Sequence, residues 1–211
     1  MQSLQDNYTN LCNSPSDINE HLPVLFNYAS QCSSAFETGV RDCVSTWAIA
    51  YGLLSNSNNN NSLLVANDIQ TCDIGPLMNA CHLLPIQFKS VWMNNLDIDL
   101  VNDLDNQTFD MIFIDTWHVY GQLKRELDKF SPIINKYIIM HDTTIDEVDG
   151  ETIRNNWNVN EQSIKYNMPV EEINRGIGPA IDEFLQANTQ WSLLLKLENN
   201  NGLTILEKVL N

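Results

Sequence analysis

Residues 110–144, DMIFIDTWHVYGQLKRELDKFSPIINKYIIMHDTT, constrain the fold more than any other stretch of the chain. Two apolar runs, residues 111–114 and 137–140, are each too short for a free-standing helix, and each runs into an acid, Asp115 and Asp142. Between them Val119, Leu123, Leu127 and Phe130 recur at near-helical spacing, while Lys124, Arg125, Glu126 and Lys129 fall on other faces. The pattern predicts strand, amphipathic crossover helix, strand. Such a unit is almost always right-handed and parallel, and ligands of such sheets lie beyond the carboxyl ends of the strands. Asp115, His118, His141 and Asp142 are therefore expected at one rim.

At 211 residues the chain is long enough for one well-buried domain, and no composition shift argues for two. A net charge of −16 opposes binding to a phosphate backbone or an anionic membrane, because like charges repel. Nucleic acid and membrane are thus not expected partners. Five cysteines, Cys12, Cys32, Cys43, Cys72 and Cys81, are odd in number and lack metal-type pair spacing, which suits a reduced interior better than a disulfide scaffold. No apolar run approaches the roughly 18 residues that span a bilayer, and the N-terminus has neither a basic start nor an apolar core, so the expected address is the cytoplasm. The Asn-rich residues 56–61 read as a solvated loop.

In chain order, residues 1–23 carry little periodic signal and read as an extension, to about residue 30, wrapping the domain edge. A short helix is expected over residues 21–30, and a strand over 33–37 runs into Thr38, Gly39, Val40 and Arg41. Residues 43–54 form an apolar helix. A strand ending in Glu37, then a glycine, then a helix start makes a turn whose backbone can approach a ligand and whose helix presents free N–H groups. Residues 63–69 read as the next strand, closing on Asp68, where an acid commonly accepts from ribose hydroxyls. A helix over 74–83, a strand over 86–92, an acidic helix over 96–104 and a strand over 109–115 follow. Residues 145–176 are polar and lack sustained periodicity, which reads as a lid. A helix over 177–187 and a hairpin of residues 191–197 and 203–209 close the chain.

With these motifs in place the chain resembles class I S-adenosylmethionine-dependent methyltransferases, in the group of cephalosporin hydroxylase-like and macrocin O-methyltransferase-like proteins. The resemblance rests on ETGVRDCVSTWA, FIDTWHVYGQLKREL, YIIMHDTT and RGIGPAIDEFLQANTQW followed by NNNGLTILEK. It implies a three-layer α/β Rossmann-like fold whose mostly parallel seven-stranded sheet ends in an antiparallel hairpin. Where the family loop usually carries a second or third glycine, this chain has Gly39 alone.

The resemblance assigns Glu37, Gly39, Arg41, Ser45, Asp68 and Asp115 to the cofactor, with Asn94 or Asp97 near adenine. The plainer alternative is an ordinary strand-to-helix turn, with Asp68 as a turn former. Asp115, His141 and Asp142 resemble the carboxylate-rich metal site of metal-dependent relatives. Such a site holds Mg²⁺, or with a histidine ligand Mn²⁺ or Fe²⁺, against substrate oxygens. The alternative is that Asp142 and Thr143 only cap a loop. His118, in a D-x-x-H pattern with Asp115, is expected as general base, or else as a helix cap. Tyr120, Trp157 and Tyr166 are expected to line the acceptor pocket. His21, His82, Trp47 and Trp191 are expected to be structural.

The expected activity is methyl transfer from S-adenosylmethionine to a hydroxyl, less readily an amine, of a small polar acceptor. The resemblance suggests a sugar or glycan precursor, with Arg154, Lys165 and Arg175 offsetting a nucleotide-linked sugar's charge. A homo-oligomer is compatible with this reading. Two rivals are a metal-dependent hydrolase or hydroxylase using Asp115, His118, His141 and Asp142, and a catalytically silent relative that binds a ligand through the same cleft. A dehydrogenase fits less well, since the first turn lacks G-x-G-x-x-G.

Overall fold

The computed structural model describes residues 3–57 and 61–209; the middle of the Asn-rich loop, residues 58–60, lies outside them. The chain divides into two units, one holding the chain through Ile114 with Ile133–Tyr137, the other Asp115–Pro132 with the chain from Ile138 onward.

The first unit begins with a helix that the sequence reading lacked. α1 (Leu4–Asn13) starts at a reciprocal cap, with Ser3 Oγ accepting from the Asp6 N–H and the Asp6 carboxylate accepting from the Ser3 N–H. Its Tyr8 packs on Phe26 of α2 (Leu22–Ala29) and on Tyr51 of α3 (Val44–Ser55), at centroid distances of 5.3 and 5.2 Å. Residues 1–23 therefore carry a docked helix rather than an irregular wrap. β1 (Ser34–Thr38) pairs in parallel with β2 (Ser62–Asp68), which pairs in parallel with β3 (Ile86–Trp92); the short α4 (Gly75–Ala80) lies between β2 and β3 in the chain. On its other side β1 pairs in parallel with β4 (Phe109–Ile114), where Phe36 stacks on Phe109.

The helix predicted over residues 96–104 is absent. Only a single 3-10 turn, Asn95–Asp97, forms there. Asp99 explains the failure: its carboxylate accepts from the Val101 and Asn102 N–H groups and from the Asn102 side chain, an Asx arrangement that competes with helix.

The second unit holds α5 (Tyr120–Phe130), the amphipathic crossover, which buries Leu123, Leu127 and Phe130 as predicted. The following strand, β5 (Ile134–His141), is longer than its apolar core suggested. Residues 145–176, which read as a polar lid without sustained periodicity, contain α6 (Glu151–Arg154), α7 (Val159–Tyr166) and α8 (Val170–Asn174). The two ends of this segment are tied by a bridge between Asp149 and Arg175 and by N–H donation from Gly150 to Asn174 O and from Gly176 to Val148 O. After α9 (Gly178–Ala187), β6 (Trp191–Leu197) and β7 (Leu203–Lys208) form the expected antiparallel hairpin, with a bulge between Leu193 and Leu195.

The seven strands run in the order β3-β2-β1-β4-β5-β7-β6. Parallel pairing from β3 to β4 with a terminal antiparallel pair is the Rossmann-like arrangement that the sequence predicts. Among the described residues no helix is long and apolar enough to cross a membrane.

Candidate functional site

In the first unit the loop leaving β1 is shaped by three residues with positive φ: Gly39 (88°), Arg41 (44°) and Cys43 (63°). Two of the three are not glycine, and such backbone persists only where contacts hold it. Asp68 supplies those contacts. One carboxylate oxygen accepts from the N–H groups of both Val40 and Arg41, at 3.0 Å each, and the other accepts from Gln70 N–H at 2.9 Å. Gly39 N–H donates to Asn67 O at 2.8 Å. Glu37, wholly buried, accepts from Ser45 Oγ at 2.5 Å and so joins the strand end to the first turn of α3. α3 starts at Cys43 with no side-chain cap.

The structure thus brings together Glu37 with Ser45, and Asp68 with the Gly39 loop. Arg41 is directed elsewhere: its side chain is 65% exposed and its guanidinium pairs with Asp17 at 2.8 Å. Asn94 caps the Leu96 N–H. Trp47 packs on the apolar cluster of Val40, Cys43, Ala66 and Ile74, and His21 is buried, while His82 is exposed.

In the second unit Asp115, His118, His141 and Asp142 do meet. His118 Nε2 lies 3.1 Å from Asp115 Oδ1, and its Nδ1 lies 3.1 Å from Asp142 Oδ2. His141 Nδ1 lies 3.0 Å from Asp142 Oδ1 and 3.6 Å from Asp115 Oδ1. Two acids that the sequence reading missed complete the ring: Asp146 Oδ2 and Glu151 Oε2 stand 3.4 and 3.7 Å from His118 Nδ1. Glu151 and His118 also clasp through their backbones, Glu151 N–H donating to His118 O and His118 N–H to the Glu151 carboxylate. Asp142 itself sits at φ 56°. The Asp142 and Asp146 spacing was visible in the sequence, but nothing there showed that residues 145–151 return to His118.

Electrostatics follow from this crowding. Burial alone would push the His118 imidazole down, but Asp115, Asp146 and Asp142 outweigh it and hold the ring protonated well above its ordinary range. Burial opposes the charge on His141 likewise, and Asp115 with Asp142 raises it to about 9. Burial would raise Asp115, yet both imidazoles keep it well below the usual carboxylate range. Asp146 is lowered in the same way by His118 and Arg154, against the effect of burial. Glu151 is raised, chiefly by burial.

Asp115, His118 and Asp142 each offer a donor atom, and these atoms all lie within 4.8 Å of one another. His118 Nδ1 and Asp142 Oδ1 are buried without a well-formed hydrogen bond. His141, expected beside Asp115 and Asp142, contacts both carboxylates through Nδ1, and His118 joins the same two carboxylates in the clustered trio.

Beside this cluster lies a cleft of about 330 Å³ lined by Trp117, Glu151, Trp157, Gln162 and Tyr166. Trp157 and Tyr166 were expected there; Trp117 and Gln162 were not. Tyr120 is a correction. Its hydroxyl donates to Glu183 of α9 at 2.6 Å and its ring lies under the Arg175 guanidinium, so it is part of the α5–α9 contact and not of the cleft. Trp191 is buried against Phe184, as expected of a core residue. The three cations expected to meet an anionic sugar all have partners: Arg154 holds Asp146, Arg175 holds Glu183, and Lys165 stands over the Tyr166 ring.

No family model and no curated protein matches the chain. Solved structures do match. A putative caffeoyl-CoA O-methyltransferase from Staphylococcus aureus superimposes with a TM-score of 0.60 at 11% identity, covering 99% of this chain and 93% of that one. The fold is that of O-methyltransferases. An O-methyltransferase from Bacillus cereus in complex with SAH gives a TM-score of 0.59 at 17% identity, over 97% of this chain and 88% of its own. TomG from Streptomyces achromogenes, an O-methyltransferase of tomaymycin synthesis in complex with SAM, gives 0.56 at 12%, over 99% and 90%.

Proposed function

We propose that the protein is an S-adenosylmethionine-dependent methyltransferase acting on an oxygen of a small polar acceptor. The observation that carries this reading is the O-methyltransferase fold over nearly the whole chain, two of whose similar structures are complexes with SAH or SAM. S-adenosylmethionine supplies an electrophilic methyl group, so the protein's task is to bind, align and exclude water.

Glu37, Gly39, Ser45 and Asp68 are the residues assigned to the cofactor. The fit is supported by the single-glycine turn and the start of α3, which has no side-chain cap. Asp68 acts chiefly by holding the loop, since both its oxygens already accept from backbone. Arg41 would have to leave Asp17 to reach a ligand.

Asp115, His118 and Asp142 would hold a divalent cation, Mg²⁺ or Mn²⁺, which supplies Lewis acidity toward an acceptor oxygen. The donor set suits this. Two hard carboxylates favour either ion, the imidazole nitrogen tilts the choice to Mn²⁺, and the donor atoms of the three residues lie within 4.8 Å of one another. His118 as ligand and His118 as general base are alternatives. As a base it acts only in molecules whose ring is neutral, so its contribution rises into the alkaline range; as a ligand it takes no proton from the acceptor.

Residues 145–176 are assigned as the cover of the acceptor cleft, to which they contribute Glu151, Trp157, Gln162 and Tyr166. A sugar is one acceptor among the hydroxyl compounds this reading admits. A hydrolase or hydroxylase has no observation of its own in its favour.

The test is calorimetric titration of S-adenosylmethionine and S-adenosylhomocysteine with Mg²⁺, with Mn²⁺ and with chelator, followed by release of S-adenosylhomocysteine across a panel of hydroxyl acceptors. Micromolar binding of both ligands is expected. No binding of either under all three conditions would end the transferase reading.

A further inference from the structure

We infer that the cleft beside His118 is a binding site for organic cations, in which aromatic walls and the Glu151 carboxylate select an ammonium-bearing acceptor over a neutral or anionic one. The inference rests on the transferase reading only in calling the bound cation the acceptor.

Three of the five lining side chains are aromatic: Trp117, Trp157 and Tyr166. The faces of such rings carry negative potential and attract cations, most strongly those of tryptophan. Trp117 is fixed in place. Its Nε1 donates to Thr152 Oγ1 at 3.0 Å, its ring packs on Tyr166 at 4.9 Å between centroids, and the buried Val119, Met168 and Ile173 stand behind it. A wall already ordered loses little freedom on binding. Tyr166 already makes such a contact, with Lys165 Nζ 4.7 Å from its ring centroid. Trp157, 44% exposed, forms the accessible side.

Carboxylates outnumber cations on the Glu151 side of the cleft. Glu151 lines the cleft and also faces His118, and behind it Asp146, Asp142 and Asp115 crowd the same ring. Four carboxylates thus face two imidazoles and Arg154, whose guanidinium is committed to Asp146. A neutral aromatic ligand would gain stacking alone, whereas a cation would gain the ring faces and the carboxylate together. An anion would be repelled. The volume, about 330 Å³, suits one ring with a short substituent.

Benzyltrimethylammonium, benzyl alcohol, benzoate and methyl glucoside would each be titrated into the full chain, followed by tryptophan fluorescence and calorimetry. The ammonium should bind about tenfold tighter than benzyl alcohol. Benzoate and the glucoside should bind more weakly than either. Glu151→Gln should weaken the ammonium about fivefold while leaving benzyl alcohol nearly unchanged. Trp157→Ala, at an exposed position that should not disturb folding, should weaken both; melting curves of the two variants check that they fold. Equal affinity for the ammonium and benzyl alcohol, or an ammonium affinity indifferent to Glu151→Gln, would overturn the inference.

S-adenosylhomocysteine is titrated in parallel, because it lacks the sulfonium that could itself enter the cleft. Its binding without an ammonium preference would overturn this inference alone. An ammonium preference without its binding would overturn only the transferase reading.

Discussion

Arg154 closes on Asp146 through two side-by-side bonds, Nε to Oδ1 at 2.6 Å and Nη2 to Oδ2 at 2.8 Å. Asp146 is wholly buried and also reaches to 3.4 Å from His118 Nδ1, so Arg154 supplies the counter-charge that keeps this carboxylate in the ring around the histidine. Removing one partner of such a pair leaves a buried charge uncompensated. Arg154→Met should therefore cost about 3 kcal/mol. Adding Asp146→Asn removes the stranded charge, and the double variant should lose at least about 1 kcal/mol less than the two single losses summed. Urea denaturation of the four proteins checks this, and strict additivity would refute the coupling.

Stability should fall on both sides of a weakly acidic plateau. His141 is raised from 6.5 to about 9, so the folded state binds this proton more tightly than the unfolded chain. Its stabilisation is complete below pH 6.5 and is lost as pH rises through about 9. The loss is on the order of 3 kcal/mol. His118 is shifted the same way. Asp115 is lowered, so its contribution is present above its unfolded value of 3.8 and is lost as pH falls below it. Melting temperatures in chelator should be highest between those limits. A His141→Gln variant should have a flatter alkaline limb.

The strand–helix–strand unit and the terminal hairpin were legible because each combines a short apolar run with a turn or an amphipathic face, signals that local sequence carries. α1 is only weakly signalled: Ser3 and Asp6 can cap it and Leu4, Tyr8 and Leu11 stand at helical spacing, but the apolar face is too small to show as a clear periodicity. Residues 96–104 misled for the opposite reason: leucines at suitable spacing yielded to the Asp99 side chain, which satisfies the backbone locally.

The site shows the same division. Asp115, His118, His141 and Asp142 follow from strand ends and could be placed without tertiary knowledge. Asp146 and Glu151 could not, because they reach His118 only when residues 145–176 fold back with their ends tied between Asp149 and Arg175. The displacement of Arg41 toward Asp17 was equally hidden, since a basic residue after a glycine turn carries no mark of its partner.

Asp68 offers a test of whether an acid at a strand end holds a loop or a ligand. Asp68→Ala leaves three backbone N–H groups without their acceptor. It should cost about 1–2 kcal/mol and weaken S-adenosylhomocysteine about tenfold through the disordered turn. Differential scanning calorimetry and ligand titration separate the two roles. A lost affinity with an unchanged melting temperature would mean that Asp68 touches the ligand and does not serve the loop.

Gly202 places the hairpin turn against the residues that follow Asp142. Its φ is 99°, and a Cβ there would collide with the backbone N and Oγ1 of Thr144. Thr144 and Ile145 N–H groups donate to Asn201 O at 2.9 and 3.0 Å, and Thr143 Oγ1 meets Thr204 Oγ1 at 2.9 Å, so the turn and the Asp142 loop form one hydrogen-bonded unit. Gly202→Ala combines a positive φ with a clash against backbone, which should cost about 2–3 kcal/mol. Asn201→Gly, at φ 70°, relieves strain and should change stability by less than about 0.5 kcal/mol. Because the displaced Thr144 lies two residues beyond Asp142, Gly202→Ala should also weaken Mn²⁺ binding, read by calorimetry at a temperature where the variant is still folded. Unchanged stability in Gly202→Ala would mean that the turn yields freely and does not fix the position of Asp142.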